Sequence, residues 1–178
     1  MKEIGRLEIL RRYPVKSMKG EDLEKVFVSH SGLMGDRVHA FVDPQKKTNS
    51  PWVTAREVPE MLRFTPKLLE PPGEDTRYPD ARAYHIRVRT PEGEDYDIDD
   101  PVFLKLLKKR WNRPLKLRFS EQGMQDSRPV SVFGLETLRL LEGETGLPLD
   151  HRRFRANLYI EWIDKAPFYE ETLLGRIL

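Results

Sequence analysis

From Tyr84 to Arg89 the chain alternates strictly, with Tyr84, Ile86 and Val88 on one side and His85, Arg87 and Arg89 on the other. A period of two is the spacing of a strand with one buried face, and it does not fit a helix. Pro91-Glu92-Gly93 supplies a turn and Tyr96 and Ile98 resume the apolar side, so the pattern predicts a hairpin. Similar short runs recur along the chain: Leu7-Glu8-Ile9-Leu10 with Tyr13 and Val15, Val26-Phe27-Val28, Val38 to Val42, and Leu115, Leu117 and Phe119. Ser31, Gly32 and Gly35 punctuate them as turn formers. Many short strands with few helices predict a mainly β, barrel-like fold rather than a doubly wound sheet.

Two helices are expected. Asp99-Asp100-Pro101 reads as an N-cap followed by proline at the first helical position, after which Phe103, Leu106, Leu107 and Trp111 share a face. Leu135, Leu138 and Leu141 mark a second helix, with Gly134 as a weak N-cap and a stop near Gly143. The stretch from Glu70 through Pro71-Pro72-Gly73 to Asp80 predicts an exposed loop. The polar segment Ser120–Ser127 reads as a link between two parts, and we divide the chain into 1–119 and 120–178.

A net charge of +2 is too small for a general nucleic-acid footprint, so any anion recognition has to be local. No stretch has the apolar length to span a bilayer, and the N-terminus lacks a signal-peptide core, which leads us to expect a cytoplasmic protein. The chain contains no cysteine, which excludes disulfides, thiolate metal sites and a cysteine nucleophile. There is also no dinucleotide fingerprint, no P-loop, no zincin motif and no metal-spaced histidine cluster.

Three segments are candidates for anion binding. Asp150-His151-Arg152-Arg153-Phe154-Arg155-Ala156-Asn157 packs four basic side chains against the apolar Leu158-Tyr159-Ile160, where desolvation is costly unless an anion meets them. Lys16-Ser17 follows a strand and a proline; a lysine, a hydroxyl and free loop N–H groups can grip an oxyanion, although alone the lysine reads first as a solvated loop residue. Gly35-Asp36-Arg37 ends a glycine-punctuated loop, and Asp36 either orients Arg37 toward a ligand or forms an ordinary surface ion pair.

Thr54 and Glu57 have capping-box spacing, and Pro59 would keep the helix short. Arg56 in that first turn opposes the helix dipole, which hints at another purpose. Asp126 either accepts hydrogen bonds from a heterocycle or caps its turn. The lysines of Lys105–Arg118 read as a solvated face, and His39 and His85 as exposed or hydrogen-bonded strand residues. A nucleophile–base pair at Ser29-His30-Ser31 is disfavoured, because neighbours on a strand face opposite ways.

Taken in order, these segments resemble the MOSC superfamily, the molybdenum-cofactor sulfurase C-terminal domain preceded by its N-terminal β-barrel partner. Tyr13 to Gly20, Gly32 to Arg37 and Val53 to Pro59 look like the partner domain's motifs. Asp126 to Leu138 and Arg153-Phe154-Arg155-Ala156-Asn157-Leu158 are similar to the start of MOSC itself. The family includes the mitochondrial amidoxime-reducing component and bacterial relatives, which reduce N-hydroxylated compounds at a molybdenum cofactor. The resemblance implies a molybdopterin ligand contacted by Lys16, Ser17, Arg37, Arg153, Arg155 and Asn157, with Thr54, Arg56 and Asp126 nearby.

Family members carry a cysteine ligand to molybdenum downstream of the Arg-x-Asn segment, and this chain has none. We therefore expect a binding protein whose own catalysis is in doubt, either a truncated product or a shortened member, with an electron-transfer partner if it serves a reductase. A missing set of final strands predicts an open sheet edge available for self-association. The alternative expectation is a non-catalytic module holding a phosphorylated metabolite, or RNA, on the same basic rim.

Overall fold

The computed structural model describes residues 3–47, 51–70 and 83–176. The chain begins with β1 (Gly5–Arg12), β2 (Glu21–Leu23), β3 (Val28–Ser29), β4 (Gly32–Leu33) and β5 (His39–Val42). It continues through β6 (Thr65–Glu70), β7 (His85–Arg89), β8 (Asp95–Asp97), helix α1 (Pro101–Arg110) and β9 (Lys116–Phe119). The last elements are β10 (Val132–Gly134), helix α2 (Leu135–Thr145) and β11 (Leu158–Trp162). The fold is mainly β, with two α-helices among the described residues. The loop expected from Pro71 to Asp80 lies outside the described residues. No helix among them is long and apolar enough to cross a membrane.

Two compact units result: Met1–Arg11 with Asp22–Lys25 and Val130–Leu178, and Arg12–Glu21 with Val26–Pro129. The second and larger unit holds the antiparallel pairs β3–β4 and β5–β9 and the three-stranded sheet β6-β7-β8. The expected hairpin is present, with Val88 opposite Tyr96 and Arg87 opposite Asp97. Its alternation translates into burial: Ile86 and Val88 are buried while His85, Arg87 and Arg89 are exposed.

Helix α1 starts as its sequence predicts, with the Asp100 carboxylate accepting from Val102 N at 2.7 Å ahead of the lysine-rich face. Its apolar face brings Phe103, Leu107 and Trp111 into the core. There Phe64 and Phe41 meet Trp111 edge-on, with ring centroids 5.7 and 5.8 Å apart. Edge-to-face geometry sets the positive rim of one ring against the negative face of another, adding about 1 kcal/mol per pair to simple burial.

In the smaller unit the strand order is β10-β11-β1-β2. Strand β11 lies antiparallel to β1, with Leu7 opposite Ile160. It lies parallel to β10, with Phe133 opposite Tyr159. Parallel neighbours need a crossover, and α2 provides it. Tyr159 and Trp162 on β11 are buried.

Four local expectations are corrected. Helix α2 does not stop near Gly143; it runs to Thr145 and ends at Gly146, whose φ of 66° supplies the left-handed cap. Val26–Val28 is mostly loop, since only Val28 and Ser29 pair with β4. Val15 leaves β1 and makes an isolated parallel bridge to His39. The Thr54 capping box is not built as expected: Glu57 and Val58 donate to the Thr54 carbonyl in a bare turn, and a 3-10 turn then starts at Pro59. The Glu57 carboxylate faces Lys46 and Arg113 instead.

Candidate functional site

The larger unit gathers several of the expected ligand residues. After β1 the backbone turns through Pro14, and Lys16 N donates to His39 O at 2.8 Å, which pins the segment against β5. Ser17 then takes a φ of 67°, a region side chains with a Cβ rarely occupy. This geometry turns the Lys16 side chain inward. It is buried, and Nζ donates to Met124 O at 2.7 Å and to Asp126 Oδ1 at 2.5 Å. The same Nζ lies 5.9 Å from the centre of the Trp52 ring. The solvated loop lysine suggested by the residues alone is thereby corrected.

Gly35-Asp36-Arg37 is likewise no surface ion pair. Asp36 is 1% exposed; Oδ1 accepts from Tyr13 N at 2.8 Å and Oδ2 from Arg37 Nη1. Arg37 adopts φ 54° and sets its guanidinium over the Tyr13 ring, 4.6 Å from the centroid. Gly35 cannot be replaced without strain, because its φ of 80° is a conformation that residues with a Cβ rarely adopt. Asp36 thus holds Arg37 by bonding, and the Tyr13 ring holds it by cation–π attraction.

The loop after β9 is fastened to this turn. Met124 N donates to Arg37 O at 2.8 Å, and a Cβ on Gly123 would come within 2.7 Å of Asp36 O. That anchorage delivers both the Met124 carbonyl and the Asp126 carboxylate to Lys16. The Asp126 carboxyl is held below its usual range, first by the Lys16 hydrogen bond and also by the charges of Arg56 and Arg37. Lys16, Arg37 and Arg56 therefore act on one carboxylate. Arg56 is exposed, and Thr54 is half-buried in the turn before it.

Two further residues stand at the same place. Arg118 sets its guanidinium 5.3 Å from the centre of the Trp52 ring, which the Lys16 ammonium also approaches. Neither Trp52 nor Arg118 is among the sequence-derived site residues. The signal that could have found Trp52 is its place two residues before Thr54. Arg118, grouped with the solvated lysines, is carried to the ring by the β5–β9 pairing, where it sits opposite Ala40.

His39, whose carbonyl accepts from Lys16 N, also departs from expectation. It is 3% exposed, and Nδ1 has no hydrogen-bond partner among the described residues. Burial lowers its pKa to about 4, only partly opposed by Asp99.

The smaller unit holds the remaining expected residues. His151–Arg153 form a 3-10 turn capped by Asp150, which accepts from Arg152 N at 2.9 Å and from Arg152 Nε at 2.7 and 2.8 Å. The Arg152 hydrogen bonds hold the Asp150 carboxyl far below its ordinary range. Arg153 is exposed, and Arg155 is half-buried with φ 53°. Asn157 is 1% exposed: Oδ1 accepts from Ser131 N and Oγ at 3.1 and 3.0 Å, and Nδ2 donates to Arg11 O at 3.1 Å. Its amide ties β1 to the segment before β10.

The profile of the family described as MOSC N-terminal beta barrel domain matches residues 4–103. The chain belongs to this family. Among curated proteins no significant match is found. The MOSC N-terminal match spans Lys16, Ser17, Arg37, Thr54 and Arg56, whereas Asp126, Arg153, Arg155 and Asn157 lie beyond it. Asp126 nonetheless joins the matched residues through its bond to Lys16. Five described non-glycine residues have positive φ, and Ser17, Arg37 and Arg155 are three of them. Backbone strain of this kind, worth about 1–3 kcal/mol per residue, concentrates at functional sites.

Proposed function

We propose that this MOSC-family chain binds the phosphorylated pterin of the molybdenum cofactor at the corner formed by Lys16, Arg37, Arg56 and Asp126. The observation that carries the reading is a buried lysine whose partners come from a distant loop, beside an arginine fixed on two sides. Buried cations without an anion are costly, and guanidinium groups match phosphate geometry. Lys16, Arg37 and Arg56 would meet the phosphate, and the backbone around Ser17 would meet the pterin's polar edge. When bound, the cofactor would supply redox chemistry at its metal.

The fit extends to the anionic and polar parts of that ligand. No cysteine occurs in the chain, so no thiolate for molybdenum comes from it. Among the described residues, no cluster of three or more His, Asp or Glu is placed to hold a metal. The proposal therefore concerns binding, and turnover would draw on groups supplied from elsewhere. We also carry forward from the resemblance the contacts by Arg153 and Arg155, and the division into an N-terminal domain over 1–119 and the start of a MOSC domain over 120–178.

The test is purification from a host that makes the cofactor, followed by pterin fluorescence and metal analysis. Wild-type protein should carry pterin, and Lys16→Ala and Arg37→Ala should lose at least nine-tenths of it. Arg153→Ala and Arg155→Ala examine the carried-over contacts in the same way. Absence of pterin from well-folded wild-type protein sinks the proposal. The gathering of Lys16, Arg37 and Arg56 on one carboxylate also suits a second reading, a metal-free site for a phosphorylated metabolite. RNA in that role would give a steep dependence of affinity on salt.

A further inference from the structure

We infer that the Asp126 carboxylate occupies, on Lys16, the place a ligand's anionic oxygen takes, so that binding displaces this side chain instead of adding to it. The inference rests on the reading of this corner as an anion site. An ammonium group has three N–H donors. One goes to the Met124 carbonyl, fixed because Met124 is itself bonded to Arg37 O. Another side of Nζ is turned toward the Trp52 ring, which is no oxygen acceptor. Asp126 is the partner that can leave.

The exposures point the same way. The Lys16 side chain is 8% exposed and that of Asp126 79%, so the carboxylate reaches the ammonium from the solvent side. A ligand arriving from solvent meets Asp126 first. The anchor of the loop is the buried Met124; residues Asp126 to Pro129 beyond it are all exposed. Swinging the carboxylate outward therefore breaks its ion pair and disturbs no core packing. With Asp126 gone, Lys16, Arg37 and Arg56 present a cationic corner whose remaining carboxylate, Asp36, is already engaged by Arg37 and Tyr13. A ligand must out-compete a built-in monoanion, which favours a dianionic phosphate over a carboxylate.

The experiment titrates inorganic phosphate into the full chain by calorimetry, comparing wild type, Asp126→Asn and Asp126→Glu. Asp126→Asn should bind phosphate about tenfold more tightly, equivalent to about 1.4 kcal/mol. Asp126→Glu should stay near wild type, and adding Lys16→Met to Asp126→Asn should abolish the gain. A second readout needs no variant: phosphate saturation of wild type should raise the titration midpoint of the Asp126 carboxyl carbon in NMR, because the carboxylate loses Lys16. Wild-type binding without a gain in Asp126→Asn, or an unmoved Asp126 resonance at saturation, overturns the inference and leaves the anion site standing. Failure of both wild type and Asp126→Asn to bind phosphate removes the anion site and this inference together.

Discussion

Two basic regions of this chain look alike in composition and differ in construction. In the run from Asp150 to Asn157 the charges are adjacent in sequence, and much of their field is spent locally: Arg152 is chelated by Asp150, Arg153 faces solvent, and Asn157 is a buried tie between strands. Around Lys16 the charges are remote in sequence, yet Lys16, Arg37 and Arg56 all act on Asp126. The buried carboxylate Asp36 and the Tyr13 ring hold Arg37 in place. Density of charge along a chain is thus a poor guide to a site. Convergence with burial is the better one, because a desolvated cation has to be compensated and a solvated one does not.

The largest test of that contrast is Asp36→Ala against Asp150→Ala. Removing Asp36 takes away the acceptor of Tyr13 N–H and the Asp36–Arg37 ion pair, in a place where the carboxylate has no exposure. Loss of one member of a buried pair costs about 3–5 kcal/mol. Asp150→Ala removes a partly exposed cap and should cost about 1 kcal/mol. Urea unfolding of both variants checks the difference, and equal losses would erase the distinction between the two regions.

The next test uses pH. His39 is neutral in the folded protein down to about pH 4, whereas the unfolded chain takes up its proton near 6.5. The unfolded state therefore binds the extra proton between these values, and stability falls as pH drops from 6.5 toward 4. The loss amounts to about 3 kcal/mol at about 1.4 kcal/mol per unit. Above pH 6.5 the group contributes no slope. His39→Leu should flatten the stability profile within that window, as followed by urea midpoints. An unchanged slope in the variant would show that His39 does not titrate as its burial demands.

Asn157→Ala should cost about 2 kcal/mol, because Ser131 N–H and the Arg11 carbonyl lose a buried partner. Arg153→Ala, at an exposed position, should change stability by less than about 0.5 kcal/mol. If Asn157→Ala leaves stability intact but removes ligand, its amide serves binding and not the tie between strands.

What the sequence revealed follows the range of the interactions involved. The Tyr84–Arg89 alternation and the Asp100 cap depend on neighbours a few residues away, and both appear as expected. The end of α2 is also local, but two glycines competed for it. Gly143 lies inside the helix, where an added Cβ would meet nothing within 4 Å, while Gly146 takes the left-handed cap. The bond from Lys16 to Asp126 spans 110 positions, and no periodicity encodes it. Only the series of short motifs, read as a family resemblance, pointed to those residues together. The burial of His39 had no such signal. An isolated histidine in a strand pattern is equally compatible with either face until the pairing is known.

The smallest effect concerns strain. Ser17 and Arg155, one in each region, sit at φ 67° and 53°. A left-handed conformation costs a residue with a Cβ about 1–2 kcal/mol, and glycine escapes that cost while giving back part of it in unfolded-chain entropy. Ser17→Gly and Arg155→Gly should thus stabilise the backbone by about 0.5 kcal/mol at most, seen as a small rise in melting temperature. The regions should separate in what the exchange does to phosphate. If Ser17 is kept for its hydroxyl, Ser17→Gly gains stability and loses phosphate affinity, the trade expected where strain is retained for binding. Unaltered affinity would mean that the turn alone requires the left-handed residue, and that Lys16 reaches its partners without help from its neighbour.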